Sequence, residues 1–154
     1  MAQEADRALP RRVVVDANVA LKLVIAQEDS DTAQALFESL ALDDRAQISA
    51  PDFFLAECAS VLTLYHRKRL LSADDVRKSV KDLRSLGLSF VSADLLILEA
   101  VELSLRQNLT GYDSFYGALA LRLGQPLITA DEGLVRALAG SRVRAILLKS
   151  LRNP

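Results

Sequence analysis

Arg12-Val13-Val14-Val15-Asp16-Ala17-Asn18 is the stretch on which the fold turns. Its β-branched run is too short for a helix and apolar on both faces, so it reads as a strand covered on two sides. An aspartate follows directly, and Val19 to Ala26 then reads as helix. The same alternation repeats outward. Asp29-Ser30-Asp31 resembles a cap, and Ala33, Leu36, Phe37 and Leu40 fall at helical spacing, predicting a helix over 31–42. Ala46 to Ala50 is a second strand, and Pro51 stands where a helix can open and run to Arg69. Ser72 and Asp75 form a capping box ahead of the stripe Val76, Val80 and Leu83, which ends at Gly87. Strand 88–91, helix 92–107, turn 108–111, helix 112–123 closed by Gly124, strand 127–129, helix 131–139 and strand 143–149 complete the chain. Continuously apolar strands between helices predict an α/β fold: one three-layer α/β/α domain with a central parallel sheet over residues 13–150. Residues 1–12 are polar and read as a flexible, frayed extension.

The chain's 154 residues suffice for one core, and its 19 Lys and Arg against 20 Asp and Glu leave a net charge of −1. No apolar run reaches the roughly 20 residues of a membrane span; Leu95 to Leu105 is broken by Glu99 and Glu102. Met1 to Arg12 carries Glu4 and Asp6 without an apolar centre, so no secretory signal is read there and a cytoplasmic location is expected. Cys58 is the only cysteine and His66 the only histidine, which excludes an internal disulfide framework, a cysteine-built zinc site and a histidine-rich metal site. A Ser-His-Asp triad built on His66 is not excluded by the count, and carboxylates are the obvious reagents for an enzyme of this composition.

Four of them occupy places that a purely structural role explains poorly. Asp16 follows the first strand and Asp131 follows Leu127-Ile128-Thr129-Ala130, both at strand carboxyl ends, where open parallel sheets bind ligands. Capping the next helix is the alternative for each. Glu57 is the only charged residue between Asp52 and His66, and it shares a helical face with Phe53, Phe54, Val61 and Leu64. Such a glutamate needs an arginine partner or a metal. Asp113 falls in the first turn of its helix, with small Gly117 and Ala120 continuing its face. If the four converge, each pair at about 5 Å repels by roughly 3 kcal/mol at an effective dielectric near 20. Bound cations or raised pKa values must relieve that. Oxygen donors without histidine or cysteine suit Mg²⁺ or Mn²⁺ acting on phosphoryl groups. Asn18 and Thr129 add an amide and a hydroxyl at the same edge.

Four segments resemble those of the PIN-domain ribonucleases, and especially the VapC-type toxins of toxin–antitoxin pairs. They are Val14-Val15-Asp16-Ala17-Asn18-Val19, Pro51-Asp52-Phe53-Phe54-Leu55-Ala56-Glu57, Tyr112-Asp113-Ser114-Phe115-Tyr116-Gly117-Ala118-Leu119-Ala120 and Pro126-Leu127-Ile128-Thr129-Ala130-Asp131. The resemblance implies that Asp16, Glu57, Asp113 and Asp131 hold one or two divalent ions, supported by Asn18 and Thr129. It also implies metal-dependent endoribonuclease activity on RNA, a homodimer, and silencing by a cognate VapB-like antitoxin whose tail covers the acidic groove. Ser114 stands where relatives often have alanine, and Glu132-Gly133 where some have another aspartate, which leaves the second metal position the less defined. The dozen residues ahead of the first strand exceed the usual family start, as a start codon assigned too early would produce.

Hydrolysis by water, with no histidine pair to activate a ribose hydroxyl, implies 5′-phosphate and 3′-hydroxyl ends. Arg67, Lys68 and Arg69, or the C-terminal cations Arg136, Arg142, Arg144, Lys149 and Arg152, are candidates for steering RNA; solvated helix ends are the alternative. A haloacid-dehalogenase-like phosphatase needs a second carboxylate where Asn18 stands and a distal lysine, and a receiver needs an aspartate where Ser92 and Ala93 stand. A PIN nuclease of RNA processing and a catalytically silent RNA-binding module remain as alternatives. Cys58 reads as core, His66 as a solvated helix end, and Tyr112 and Tyr116 as core rings before base-stacking ones. Whether the leucine stripes after Ser72 and Ser92 face the sheet or a dimer partner stays open.

Overall fold

A computed structural model describes residues 9–152. Five strands form one sheet: β1 (Arg12–Val15), β2 (Gln47–Pro51), β3 (Ser89–Val91), β4 (Leu127–Thr129) and β5 (Ala145–Leu147). Their order is β3-β2-β1-β4-β5, every pair parallel. Seven helices connect them: α1 (Ala17–Leu21), α2 (Ser30–Ala41), α3 (Phe54–Arg67), α4 (Ala73–Arg84), α5 (Ala93–Gln107), α6 (Asp113–Leu123) and α7 (Glu132–Leu138). The α/β architecture read from the strand pattern is the one observed.

Val13, Val14 and Val15 are wholly buried, as expected for the middle strand of a covered sheet. The chain adds β2 and β3 on one side of β1, then crosses to add β4 and β5 on the other. The carboxyl ends of β1 and β4 therefore flank the point where strand order reverses, and a crevice opens there. That crevice holds the site.

α6 is buried nearly all round, through Ser114 and Tyr116 to Ala120. A Cβ on Gly117 would lie 2.5 Å from Leu103 Cδ2 of α5 and 3.7 Å from Leu138 and Val143, so the missing side chain lets α5 and α6 close on each other. Ser72 caps α4 with the reciprocal Ser72–Asp75 bonds expected, and Gly124 ends α6 with φ +62°. The stripe Val76, Val80 and Leu83 faces the core. On α5, Leu96, Ala100 and Leu103 face inward while Leu98, Val101 and Leu105 are exposed.

Several local expectations are corrected. Pro51 ends β2 instead of opening a helix; β2 runs past β1, whose last partner pair is Val14 and Ser49, so proline's missing N–H leaves no sheet bond unmade. Asp52 then accepts the Ala93 N–H at 3.1 Å, and α3 starts at Phe54. Asp29 adopts a left-handed conformation (φ 65°) and does not cap α2; its carboxylate pairs with Arg152. The last strand stops at Leu147, and Leu148–Leu151 form a 3₁₀ turn. The expected extension over 1–12 lies, for residues 1–8, outside the described residues. Leu9 packs against the core, and the Arg11 carbonyl accepts the Gln47 N–H at 2.9 Å. Among the described residues no helix is long and apolar enough to cross a membrane.

Candidate active site

The first strand ends by turning Asp16 into the crevice, where it caps α1 and is only 6% exposed. Thr129, at the end of β4, donates its hydroxyl to Asp16 Oδ2 at 2.8 Å, while the Asn18 N–H approaches Oδ1 at 3.5 Å. Asn18 ties the two strand ends together. Its amide nitrogen donates to Thr129 Oγ1 at 3.3 Å, and its amide oxygen accepts the Ala130 N–H at 3.0 Å. Thr129 Oγ1 also accepts the Asp131 N–H at 3.1 Å. Asn18 and Thr129 together fix the buried carboxylate across the β1–β4 junction.

Glu57 reaches the crevice from the first turn of α3 and is half-buried. Its partner is not an arginine. Tyr116, buried on α6, donates its hydroxyl to Glu57 Oε1 at 2.6 Å. The sequence reading treated Tyr116 as core packing and missed this. The only local signal was its place three residues after Asp113, on the same side of α6. Asp113 opens α6 and is half-buried; Tyr112 occupies the N-cap position, and no side chain donates to the Asp113 carboxylate among the described residues.

Asp16, Asn18, Glu57 and Asp113 line one open cavity of about 490 Å³, together with Phe53, Ser60, Val61 and Tyr112. Asp131 does not line it. Its carboxylate accepts the Leu134 N–H at 3.1 Å, the capping role of the alternative reading, although its charge reaches Asp113. The basic residues sit apart. Arg67 to Arg69 lie at the far end of α3 and make no ion pair among the described residues, whereas Lys149 pairs with Glu132 and Arg152 with Glu28 and Asp29. His66 is taken up by the Leu71 carbonyl at 2.9 Å.

Electrostatically the cavity resists its own charge. Burial pushes Asp16 up to about 7, against the lowering pull of Thr129 and with further upward pressure from Asp113 and Glu57. Glu57 is raised by burial and by Asp113, which Tyr116 partly offsets; Asp113 is raised by burial and then by Asp131. Cys58 is driven to about 12 by burial and the neighbouring carboxylates, so it is an inert thiol. Three carboxylates with heightened affinity for positive charge, all oxygen donors, fit a hard divalent cation in kind. Among the described residues no three acidic, histidine or cysteine side chains are drawn into a ready-made metal cage. An open arrangement is compatible with Mg²⁺, which keeps several waters and takes one or two carboxylates.

A buried aspartate at the β1–β4 switch point, faced by acids from α3 and α6, defines an acid-lined α/β crevice, and residues 13–139 match the PIN domain. The chain belongs to the PIN-domain family. It is 28% identical over 125 residues to ribonuclease VapC3 of Pyrobaculum aerophilum, covering 80% of this chain and 92% of that one. Its fold is similar to that in the VapBC2 structure from Rickettsia felis bound to a promoter DNA fragment, with TM-score 0.67, 13% identity and coverage of 88% and 98%. It is also similar to that in a toxin–antitoxin complex from Klebsiella pneumoniae, with TM-score 0.57, 18% identity and coverage of 88% and 97%.

Proposed function

We propose that this protein is a Mg²⁺- or Mn²⁺-dependent endoribonuclease, the VapC-type toxin of a toxin–antitoxin pair. The observation that carries the reading is the joint presence of Asp16, Glu57 and Asp113 on one cavity at the sheet's switch point, each with raised proton affinity. Asp16, Glu57 and Asp113 would hold one or two ions, with the charge of Asp131 acting through its proximity to Asp113. A bound divalent ion supplies charge neutralisation at the phosphodiester and lowers the pKa of the attacking water. The protein's part is orientation. Thr129 and Asn18 hold Asp16, and Tyr116 holds Glu57 through a hydrogen bond that favours its ionised form against the upward pull of burial. Glu57, which lines the cavity, is placed to accept the water's proton, with Asp131 beside Asp113 as the alternative. No histidine stands near to deprotonate a ribose hydroxyl, so cleavage leaves a 5′-phosphate and a 3′-hydroxyl. Support from relatives is the similarity to ribonuclease VapC3 and the fold shared with toxin–antitoxin complexes.

Arg67, Lys68 and Arg69, free of ion pairs among the described residues, steer RNA towards the crevice. A VapB-like antitoxin covers the acidic groove and blocks it. The exposed stripe Leu98, Val101 and Leu105 on α5 supports a homodimer; action on cellular RNA places that dimer in the cytoplasm. The test is cleavage of RNA by the purified, antitoxin-free protein. Cutting that needs Mg²⁺ or Mn²⁺, stops on chelation and yields 5′-phosphate ends supports the reading; cutting that persists in chelator, or no cutting of any cellular RNA, rejects it.

Tyr116→Phe isolates the orienting bond. A hydrogen bond to a charged group contributes about 1.5–3 kcal/mol, so cleavage is expected to fall about tenfold or more. Because Tyr116 favours ionised Glu57, the acid limb of the pH–rate profile is expected to move to higher pH. An unchanged profile would remove Tyr116 from this role.

A further inference from the structure

Tyr112 breaks the burial of the segment it opens. Ser114 and Tyr116 to Ala120 are buried, yet the Tyr112 ring is 57% exposed. The ring is nevertheless held in place. It lies on Phe53 with centroids 4.7 Å apart and planes tilted by 38°, and Phe53 is braced edge-on by Phe115 at 5.5 Å and Tyr116 at 5.9 Å. The Tyr112 hydroxyl makes no hydrogen bond among the described residues, so no polar contact accounts for the ring's position.

Both rings line the same cavity as the carboxylates, and Tyr112 immediately precedes Asp113. Among the described residues no lysine or arginine lines that cavity. A bound ion would take the phosphate, but no cationic side chain there takes the rest of the nucleotide, so an uncharged attraction is left to hold the base in register. A braced aromatic face supplies it, because every base presents a flat π-surface to stack on.

We propose that Tyr112, backed by Phe53, is the stacking platform for the base next to the phosphodiester cleaved beside Asp113. A base inside a duplex is already stacked on both faces and has none to offer. Tyr112 is thus a substrate-positioning residue, outside the ion-holding set. The inference rests on the nuclease reading above and extends it to the residue that sets the substrate's register.

The test uses the full chain and short single-stranded RNAs of mixed sequence, each carrying one 2-aminopurine at a successive position, bound in Ca²⁺. Wild-type protein is expected to quench the probe sharply at one position. Tyr112→Ala is expected to abolish that quench and weaken binding about five- to a hundredfold; Tyr112→Trp is expected to keep both. In Mn²⁺, kcat/KM of Tyr112→Ala is expected to fall by the same factor while Mn²⁺ affinity stays unchanged. RNA that is bound and quenched through Tyr112 but never cut leaves the platform standing and removes the nuclease reading. Equal quenching and cutting by wild type and Tyr112→Ala, or tighter binding of duplex than of single strands, overturns the platform and leaves the nuclease. Strands neither bound nor cut remove both.

Discussion

Asp16→Asn is expected to reduce RNA cleavage on the order of a thousandfold and, at the same time, to raise the melting temperature of the metal-free protein at neutral pH. The two effects share one cause. Asp16 is buried beneath Thr129 with Asp113 and Glu57 close enough to oppose its charge, which lifts its pKa from 3.8 to about 7. In the unfolded chain the group ionises near 4, and in the folded protein near 7. Its raised pKa means that folding is favoured most below pH 4, where Asp16 is protonated in both states. That contribution is lost as pH rises to about 7. The shift corresponds to about 4 kcal/mol at 1.36 kcal/mol per unit, or roughly 8–16 °C in a chain of this size. Asparagine keeps an oxygen for the Thr129 hydroxyl, carries no charge and cannot neutralise a cation. Thermal melts of metal-free wild type and variant from pH 4 to 8 check this. The wild type should lose stability over that range and Asp16→Asn should lose much less. A variant that melts lower than wild type at pH 7.5, or still cleaves, contradicts the account.

Gly117→Val is expected to destabilise the fold by about 1–3 kcal/mol through overpacking, a fall of about 3–10 °C in melting temperature. The new side chain begins 2.5 Å from Leu103 Cδ2, and Leu103 is itself buried between α5 and α6. Leu138 and Val143 close the remaining directions. Relief requires α6 to move away from α5, and Asp113 lies one turn earlier on α6. Cleavage should therefore fall more than the lost stability explains when assayed well below the melting point. Denaturant unfolding together with activity at low temperature separates the two. A variant with wild-type stability would show that the close approach of the helices is not needed.

The fold was legible because its signals are local. Val13 to Val15, the Ser72–Asp75 box and the left-handed Gly124 each depend on neighbours within a few residues. The expectations that failed depend on distant partners. Pro51 resembles a helix start until the register shows that β1 has ended beside it. Asp29 resembles a cap until Arg152, from the other end of the chain, takes its carboxylate. The site divides in the same way. Glu57 stood out as a charge on an apolar face, yet its partner Tyr116 is 59 residues away and carries no sequence mark of the bond. Asp131 showed the reverse: its strand-end position was readable, but the Leu134 N–H that occupies its carboxylate emerged only with the geometry of α7. Of the C-terminal cations, Lys149 and Arg152 are engaged with distant partners no local pattern marks: Glu132 of α7, and Glu28 and Asp29 ahead of α2.

Calorimetric titration of Mn²⁺ into the metal-free protein near neutral pH bears most directly on the claim that the crevice carboxylates hold a divalent cation. Saturable binding of one or two ions is expected, with protons released as Asp16 ionises and with affinity lowered at least tenfold in Asp16→Asn. Binding that is the same in wild type and Asp16→Asn, or absent from a protein that cuts RNA in the presence of chelator, would contradict it.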